Sequence, residues 1–104
     1  MPEFVVDRIE PDGLVVGRNS QTDIPLNTVF TKLKRIRLEH AESLQVGDIV
    51  TTGLQLTEIR FYRRTIEVIP GSHTAGIRLE GSGLDDIADA LAKKRNGEFL
   101  SIST

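Results

Sequence analysis

The amino-acid sequence predicts an all-β fold, an antiparallel closed barrel of roughly six to eight strands with one C-terminal α-helix. Turn signals recur at short intervals, apolar and polar residues alternate between them, and the apolar spacing becomes helical only late in the chain. The 104 residues fit one domain. We expect the barrel over about residues 4–81, the helix over about 83–96 and a final strand over about 98–102.

The N-terminal region predicts two strands joined by a tight turn. The strands are "FVVDRI" (4–9) and "LVVGR" (14–18), and the turn is "PDG" (11–13). Gly13 suits a left-handed turn position, which other residues adopt only at a cost. Gly17 interrupts the second strand and therefore predicts a bulge or a close backbone approach.

The basic run "VFTKLKRIRL" (29–38) predicts a long strand that contains a bulge. Leu33 is at an odd-numbered position, whereas Ile36 and Leu38 are at even-numbered positions. Because side chains alternate between the two faces of a strand, an unbroken strand cannot bury all three. We therefore expect a bulge near residues 34–35.

The middle of the chain predicts a loop, further strands and two turns. Residues 40–48 are expected to form a polar loop, and residues 49–62 one or two strands. Beyond residue 62 the apolar side chains change from odd-numbered to even-numbered positions, which predicts a tight hairpin turn at residues 63–64. Pro-Gly at 70–71 predicts a type II turn. The stretch "TAGIRLEG" (74–81) then alternates cleanly, as a half-buried strand does.

The C-terminal region predicts a helix. Ser82 and Asp85 match the S-x-x-D pattern of a helix start, and Gly97 is a natural stop. Acidic residues fill the first turn and basic residues the last, which complements the helix dipole. A narrow apolar stripe at helical spacing is expected to pack on one end of the barrel; its members are Leu84, Ile87, Ala88 and Leu91.

Two stretches of the chain carry a family resemblance, "DGLVVGR" (12–18) and "EIRFYRRTIEVIPGSHTAGIRLEG" (58–81). They resemble a strand pair and a hairpin with its following strand in the second domain of elongation factor Tu and related translational GTPases. Between them, "IPLNTVFTKL" (24–33) is similar to the turn and strand on the far side of that domain, with Asn27 where glycine is common. The resemblance covers about residues 4–83 and implies a small closed β-barrel that touches transfer RNA or ribosomal RNA.

The chain also departs from that family. The connection between residues 34 and 56 is longer than usual, a helix follows the last barrel glycine, and Glu80 replaces a residue that is often basic. No stretch reads G-x-x-x-x-G-K-[ST], the loop whose backbone amides and lysine hold nucleotide phosphates. We therefore expect no bound nucleotide, and any GTPase activity would come from another chain.

The candidate binding residues are basic and lie on two predicted strands. The net charge of the chain is −2, but the cations are concentrated locally. If the two strands are neighbours, one face carries up to seven cations beside an aromatic ring, which suits backbone phosphates and one stacked base. The predicted RNA-binding residues are Lys32, Lys34, Arg35, Arg37, Arg60, Tyr62, Arg63 and Arg64. The alternative is a solvated face whose cations pair with Glu39, Glu58 and Glu67.

These features predict a non-enzymatic module that binds RNA or a ribosome-associated protein. The competing class is a protein-interaction adaptor that uses the barrel edge, the loop 40–56 or the helix. His40 and His73 are interpreted as loop and turn residues, because neither has an orienting partner in the sequence. With no cysteine and no ligand spacing, we expect no catalytic residue, no cofactor and no metal site. No apolar segment predicts a membrane span, and we expect a cytoplasmic protein.

Overall fold

The computed structural model describes residues 2–20, 22–39 and 42–104, which are mostly antiparallel strand with one helix. This confirms the predicted β-rich class with a late helix. The elements are β1 (Glu3–Ile9), β2 (Val15–Asn19), β3 (Ile24–Pro25), β4 (Val29–Glu39), β5 (Glu42–Gln45), β6 (Val50–Phe61), β7 (Arg64–Ile66), β8 (Val68–Ile69), β9 (Thr74–Ser82), α1 (Leu84–Lys93) and β10 (Glu98–Ser103).

Six strands pair in a ring. The order is β4, β10, β1, β2, β9 and β6, and β6 pairs again with β4. Every one of these pairs is antiparallel. Strands β5 and β7 extend the sheet as hairpin partners of β4 and β6, while β3 and β8 form a separate two-stranded sheet. The prediction of a loop at 40–48 is wrong for the residues that form β5. Residues 40 and 41 lie outside the described part of the chain.

Alternate side chains of the ring strands point to one apolar core. In β9, Ala75, Ile77 and Leu79 are buried and Glu80 is exposed, which confirms the alternation expected there. Because each strand supplies every second residue, the core is continuous around the ring. The largest fully buried side chains of the described residues are Phe4, Val15, Ile24, Phe30, Leu54, Leu56, Ile59, Ile69, Ile77, Ile87, Leu100 and Ile102.

Strand β4 contains its irregularity earlier than expected. The bulge predicted near residues 34–35 is wrong, because β4 pairs with β10 without interruption over residues 32–37. The register shifts just after Phe30, where β4 pairs with β6. This shift lets both Phe30 and Leu33 enter the core. The prediction failed because it also required Leu38 to be buried, and Leu38 is 55% exposed.

The first turn agrees with the sequence expectation. Gly13 has φ of 90°, and its N–H donates to the carbonyl oxygen of Glu10 at 2.9 Å. The N–H of Leu14 donates to Asp12 Oδ1 at 3.2 Å, and Arg78 Nη2 donates to Asp12 Oδ2 at 3.1 Å. The hydrogen bond from Leu14 and then the guanidinium of Arg78 hold the pKa of Asp12 below its usual value. The turn is thereby tied to β9.

Close backbone approach at Gly17 is also confirmed. A Cβ atom built there would lie 2.1 Å from the carbonyl oxygen of Val5 and 2.7 Å from the ring of Phe4. The β1–β2 pair therefore has no room for a side chain at this position, and the glycine is required by packing.

Helix α1 packs on the ring through a set of residues that differs by one member from the predicted stripe. Its N-cap is Gly83, with φ of 114° and no side-chain capping bond, so the predicted Ser82 cap is wrong. Ser82 instead pairs with Gly53 as the last residue of β9. Ile87 is fully buried and Ala88 is exposed, so the stripe runs through Ala90 instead. No helix in the described residues is both long enough and apolar enough to cross a membrane.

Candidate nucleic-acid interface

The two basic segments do not form one face. Strands β4 and β6 are neighbours, as the prediction required, and Leu33 pairs with Val50 at the start of β6. Arg60, however, lies at the other end of β6, where it pairs with Gly76 and Thr65. At about 3.3 Å per residue, the stretch of β6 from Val50 to Arg60 spans up to roughly 33 Å. The longest dimension of the described chain is 36 Å, so the two basic segments lie near opposite ends of the molecule, and the expected single face of up to seven cations is wrong.

The eight predicted residues fall into three groups. The first is the tip of the β6–β7 hairpin, which we call the hairpin tip; it contains Arg60, Tyr62, Arg63 and Arg64. The other two groups arise because β4 alternates. Lys32 and Lys34 lie on the face opposite the buried Leu33, whereas Arg35 and Arg37 lie on the same face as Leu33. Alternation therefore divides what is a continuous basic run in the sequence.

The hairpin tip is a two-residue turn. Phe61 pairs with Arg64, so the central residues are Tyr62 and Arg63 and the turn is one residue earlier than predicted. Their φ angles are 50° and 67°. Positive φ at both central positions is typical of the type I′ turn, which matches the twist of a hairpin and normally contains asparagine and glycine. Here two bulky residues occupy the strained positions.

The side chains of the hairpin tip project into solvent. Tyr62 is 83% exposed, and its ring makes an edge contact with the ring of Phe61, 4.4 Å between centroids. Arg60 Nε pairs with Glu58 Oε2 at 2.6 Å. Arg63 and Arg64 are exposed and have no ion pair within the part of the chain that the structure describes. The tip therefore presents an aromatic ring beside two cations that are not neutralised.

We predict that the double substitution Tyr62→Asn with Arg63→Gly stabilises the protein. Left-handed backbone costs about 1–2 kcal/mol for an ordinary residue and little for asparagine or glycine, so the free energy of unfolding should rise by about 1–2 kcal/mol. Urea denaturation measures the change. The control is Asn27→Gly, where φ is 71° but the native asparagine already tolerates it, and little gain is expected. An unchanged or lower urea midpoint in the double variant would contradict the prediction that the turn is strained.

A second basic cluster lies at the other end of the molecule, and the sequence did not predict it as a unit. An open cleft of about 470 Å³ is lined by Arg35 and Arg37 of β4, by Lys93 at the end of α1 and by Arg95 just after it. We call it the basic cleft. It forms because β10 pairs with β4, so the segment that joins α1 to β10 ends beside the arginines. The signal available in the sequence is the run "KKR" (93–95), which by itself indicates only a complement to the helix dipole.

Glu98 organises the basic cleft. Its side chain is 6% exposed, and its Oε1 lies 3.6 Å from Arg35 Nε. The same oxygen accepts the backbone N–H of Arg95 at 3.1 Å, while the N–H of Glu98 donates to the carbonyl oxygen of Arg95 at 3.1 Å. Gly97, with φ of 84°, permits this turn. One buried carboxylate thus holds both the β4 side and the helix side of the cleft.

Of the two histidines, His73 is in the described part of the chain and lies just before β9. His73 is exposed; its Nδ1 lies 2.9 Å from the carbonyl oxygen of Gly71, to which it can donate, and its ring contacts Phe61. The central residues of the turn before His73 are Gly71 and Ser72, and Ser72 has φ of 64°. The turn therefore lies one residue later than the central pair predicted at 70–71. His40 lies outside the described residues. Across the described ranges, no three His, Cys, Asp or Glu side chains are grouped as metal ligands would be.

Comparison with family models, with curated proteins and with solved structures finds no match to this chain. The resemblance to the second domain of elongation factor Tu therefore stays a prediction that rests on the residues given above.

Proposed function

We propose that this protein is a non-enzymatic module that binds RNA, alone or within a ribonucleoprotein particle, through its hairpin tip. The observation that carries the proposal is the exposed Tyr62 ring, held by a strained turn beside Arg63 and Arg64. Residues in left-handed backbone cost stability and are concentrated at functional sites. The ring of six paired strands supports the further proposal of a closed barrel like the second domain of elongation factor Tu.

The mechanism combines stacking with charge. An unpaired base stacks on the exposed face of Tyr62, and the guanidinium groups of Arg63 and Arg64 contact the neighbouring phosphates. Because the tip projects from the sheet and has a single exposed ring, it suits an unpaired base in a loop or at a strand end rather than the interior of a duplex. Such contacts supply affinity with little sequence preference.

We expect the stabilised double variant Tyr62→Asn with Arg63→Gly to lose RNA affinity. Stacking on one aromatic residue is worth about 1–3 kcal/mol, and one phosphate contact is lost as well, so the dissociation constant should rise by roughly 5- to 150-fold or more. Fluorescence anisotropy with single-stranded RNA of mixed sequence at low salt measures it. Asn27→Gly is the matched control, because it changes a turn residue far from the tip in sequence and should leave affinity unchanged.

This design separates function from folding. A variant that is more stable yet binds RNA less well cannot owe its loss to unfolding. The logarithm of affinity should also fall with the logarithm of salt concentration by about 0.7 for each phosphate contacted on a single strand. If the wild-type protein binds no RNA at low salt, or if the double variant binds as well as the wild type, the proposal fails.

A protein-interaction adaptor is the second candidate function, and a specific observation favours it. The β4–β5 hairpin is exposed on both faces, with Leu38 55% and Leu44 40% accessible. Strand β5 is at the end of the sheet order, so its outer edge has no strand partner within the described residues. Exposed edges of this kind accept a strand from another protein.

The two candidates respond differently to substitution and to ribonuclease. If the adaptor function holds, Leu38→Ser with Leu44→Ser should abolish capture of a protein partner that persists after ribonuclease treatment, and Tyr62→Asn with Arg63→Gly should leave it intact. Capture that depends on RNA and on Tyr62 would instead favour the RNA-binding function. Because both leucines are exposed, their replacement should change the free energy of unfolding little, by about 0.5 kcal/mol or less.

A further inference from the structure

We propose that the basic cleft, formed by Arg35, Arg37, Lys93 and Arg95, binds a phosphate group. The site is separate from the hairpin tip, because its cations lie on β4 and at or just after the end of α1, whereas the tip belongs to β6 and β7. It is also independent of the proposed RNA contact at the tip, because it could hold the phosphate of a small molecule or that of a polynucleotide.

The charge of the basic cleft favours an anion. Among the residues that the structure describes, four cations line it, and Glu98 is the one acidic side chain in its lining. Glu98 is partnered by Arg35, and Arg37 Nη2 pairs with Glu39 Oε2 at 3.1 Å. The side chains of Lys93 and Arg95 have no ion pair within the described ranges of the chain. Two cations are therefore left to attract an anion from solvent.

The guanidinium of Arg35 has an unsatisfied donor. Arg35 Nε is buried and has no hydrogen-bond partner among the described residues, because Glu98 Oε1 at 3.6 Å is an ion-pair partner beyond hydrogen-bond distance. A buried donor without an acceptor costs free energy, more so when it is charged. A small shift of the Arg35 side chain toward a bound phosphate would satisfy it, and guanidinium groups bind phosphate in a bidentate geometry.

The surroundings limit how the anion can enter. Arg35 and Lys93 also line a second cleft, of about 260 Å³, whose other polar residues include Asp48, Asp86 and Asp89. Those carboxylates repel an anion from that side. They do not line the basic cleft, so a phosphate approaches from the side of Arg37 and Arg95. This one-sided access suits a single phosphate or diphosphate group rather than a groove that follows a duplex.

The test is a titration of the full chain with inorganic pyrophosphate and, separately, with single-stranded RNA, followed by amide and arginine-side-chain NMR shifts. We expect pyrophosphate to shift the signals of Arg35, Arg37 and Arg95. The substitution Lys93→Gln with Arg95→Gln should weaken that binding by about tenfold or more. The matched control, Arg63→Gln with Arg64→Gln, removes the same charge at the hairpin tip and should leave pyrophosphate binding unchanged.

The two ligands distinguish the source of the phosphate. RNA that shifts the same cleft signals and binds more tightly than pyrophosphate would assign the cleft to a polynucleotide backbone. Shifts with pyrophosphate but none at the cleft with RNA would assign it to a small phosphate compound, and this result would stand even if the tip bound no RNA. Absence of cleft shifts with both ligands, or equal weakening by both pairs of substitutions, would overturn the proposal.

Discussion

Gly81→Ala is expected to destabilise the protein by about 4 kcal/mol, the largest effect we predict. Gly81 pairs with Leu54 in the β6–β9 ladder at φ of 130°, a backbone conformation that L side chains rarely adopt. A Cβ atom there would lie 1.9 Å from the carbonyl oxygen of Gly53. Backbone strain of about 1–3 kcal/mol adds to about 1–3 kcal/mol of overpacking. Urea denaturation followed by circular dichroism measures the loss.

Gly97→Ala is the matched control for Gly81→Ala. Gly97 also has positive φ, 84°, but no atom of the described residues outside its own chain neighbours lies within 4 Å of a Cβ built on it. Gly97→Ala should therefore lower the free energy of unfolding through backbone strain alone, by about 1–2 kcal/mol. If both substitutions cost the same, the close approach of β6 and β9 at Gly53 contributes nothing, and the predicted steric component is wrong.

Ile87→Ala is expected to destabilise the protein by about 3 kcal/mol. Ile87 is the one fully buried residue of α1, and truncating a buried isoleucine typically costs 2–5 kcal/mol, offset slightly by the better helix propensity of alanine. The loss falls on the contact that holds α1 against the ring. Chemical denaturation checks the magnitude, and Leu91→Ala, which truncates a half-buried residue of the same helix, should cost less.

The Ile87→Ala variant also tests how the two candidate sites depend on the helix. Lys93 is the last residue of α1 and Arg95 follows two residues later, so a loosened helix should weaken pyrophosphate binding in the folded variant. The hairpin tip belongs to β6 and β7 and should keep its RNA affinity. If the substitution weakens both sites equally under conditions where the protein remains folded, the cleft is not built by the docked helix.

The local features of the fold could be predicted where one residue type decides the backbone. Gly13 marked the first turn, Gly17 marked the close strand approach, and the alternation from Ala75 to Leu79 marked the buried face of β9. In each case the residue type itself, a glycine or an alternating apolar residue, carries the signal. Strand β5 was missed because Glu42–Gln45 is polar and becomes a strand only by pairing with β4.

The candidate sites were harder to predict because they depend on pairing between distant segments. The sequence shows two basic runs on neighbouring strands but not the register, which puts them at opposite ends of β6. The ladder that joins β10 to β4 brings Arg95 next to Arg37, although 57 positions separate them in the chain. Residue spacing along a strand says nothing about a partner that arrives from the other end of the sequence.

The position of β10 has a consequence for synthesis. This strand lies between β1 and β4, yet it is made after both of them. While the ribosome still holds residues 98–103, β1 and β4 each keep an open edge that can pair with a neighbouring nascent chain. The open edges of β1 and β4 are therefore exposed to a chaperone in the interval between translation of β4 and release of β10.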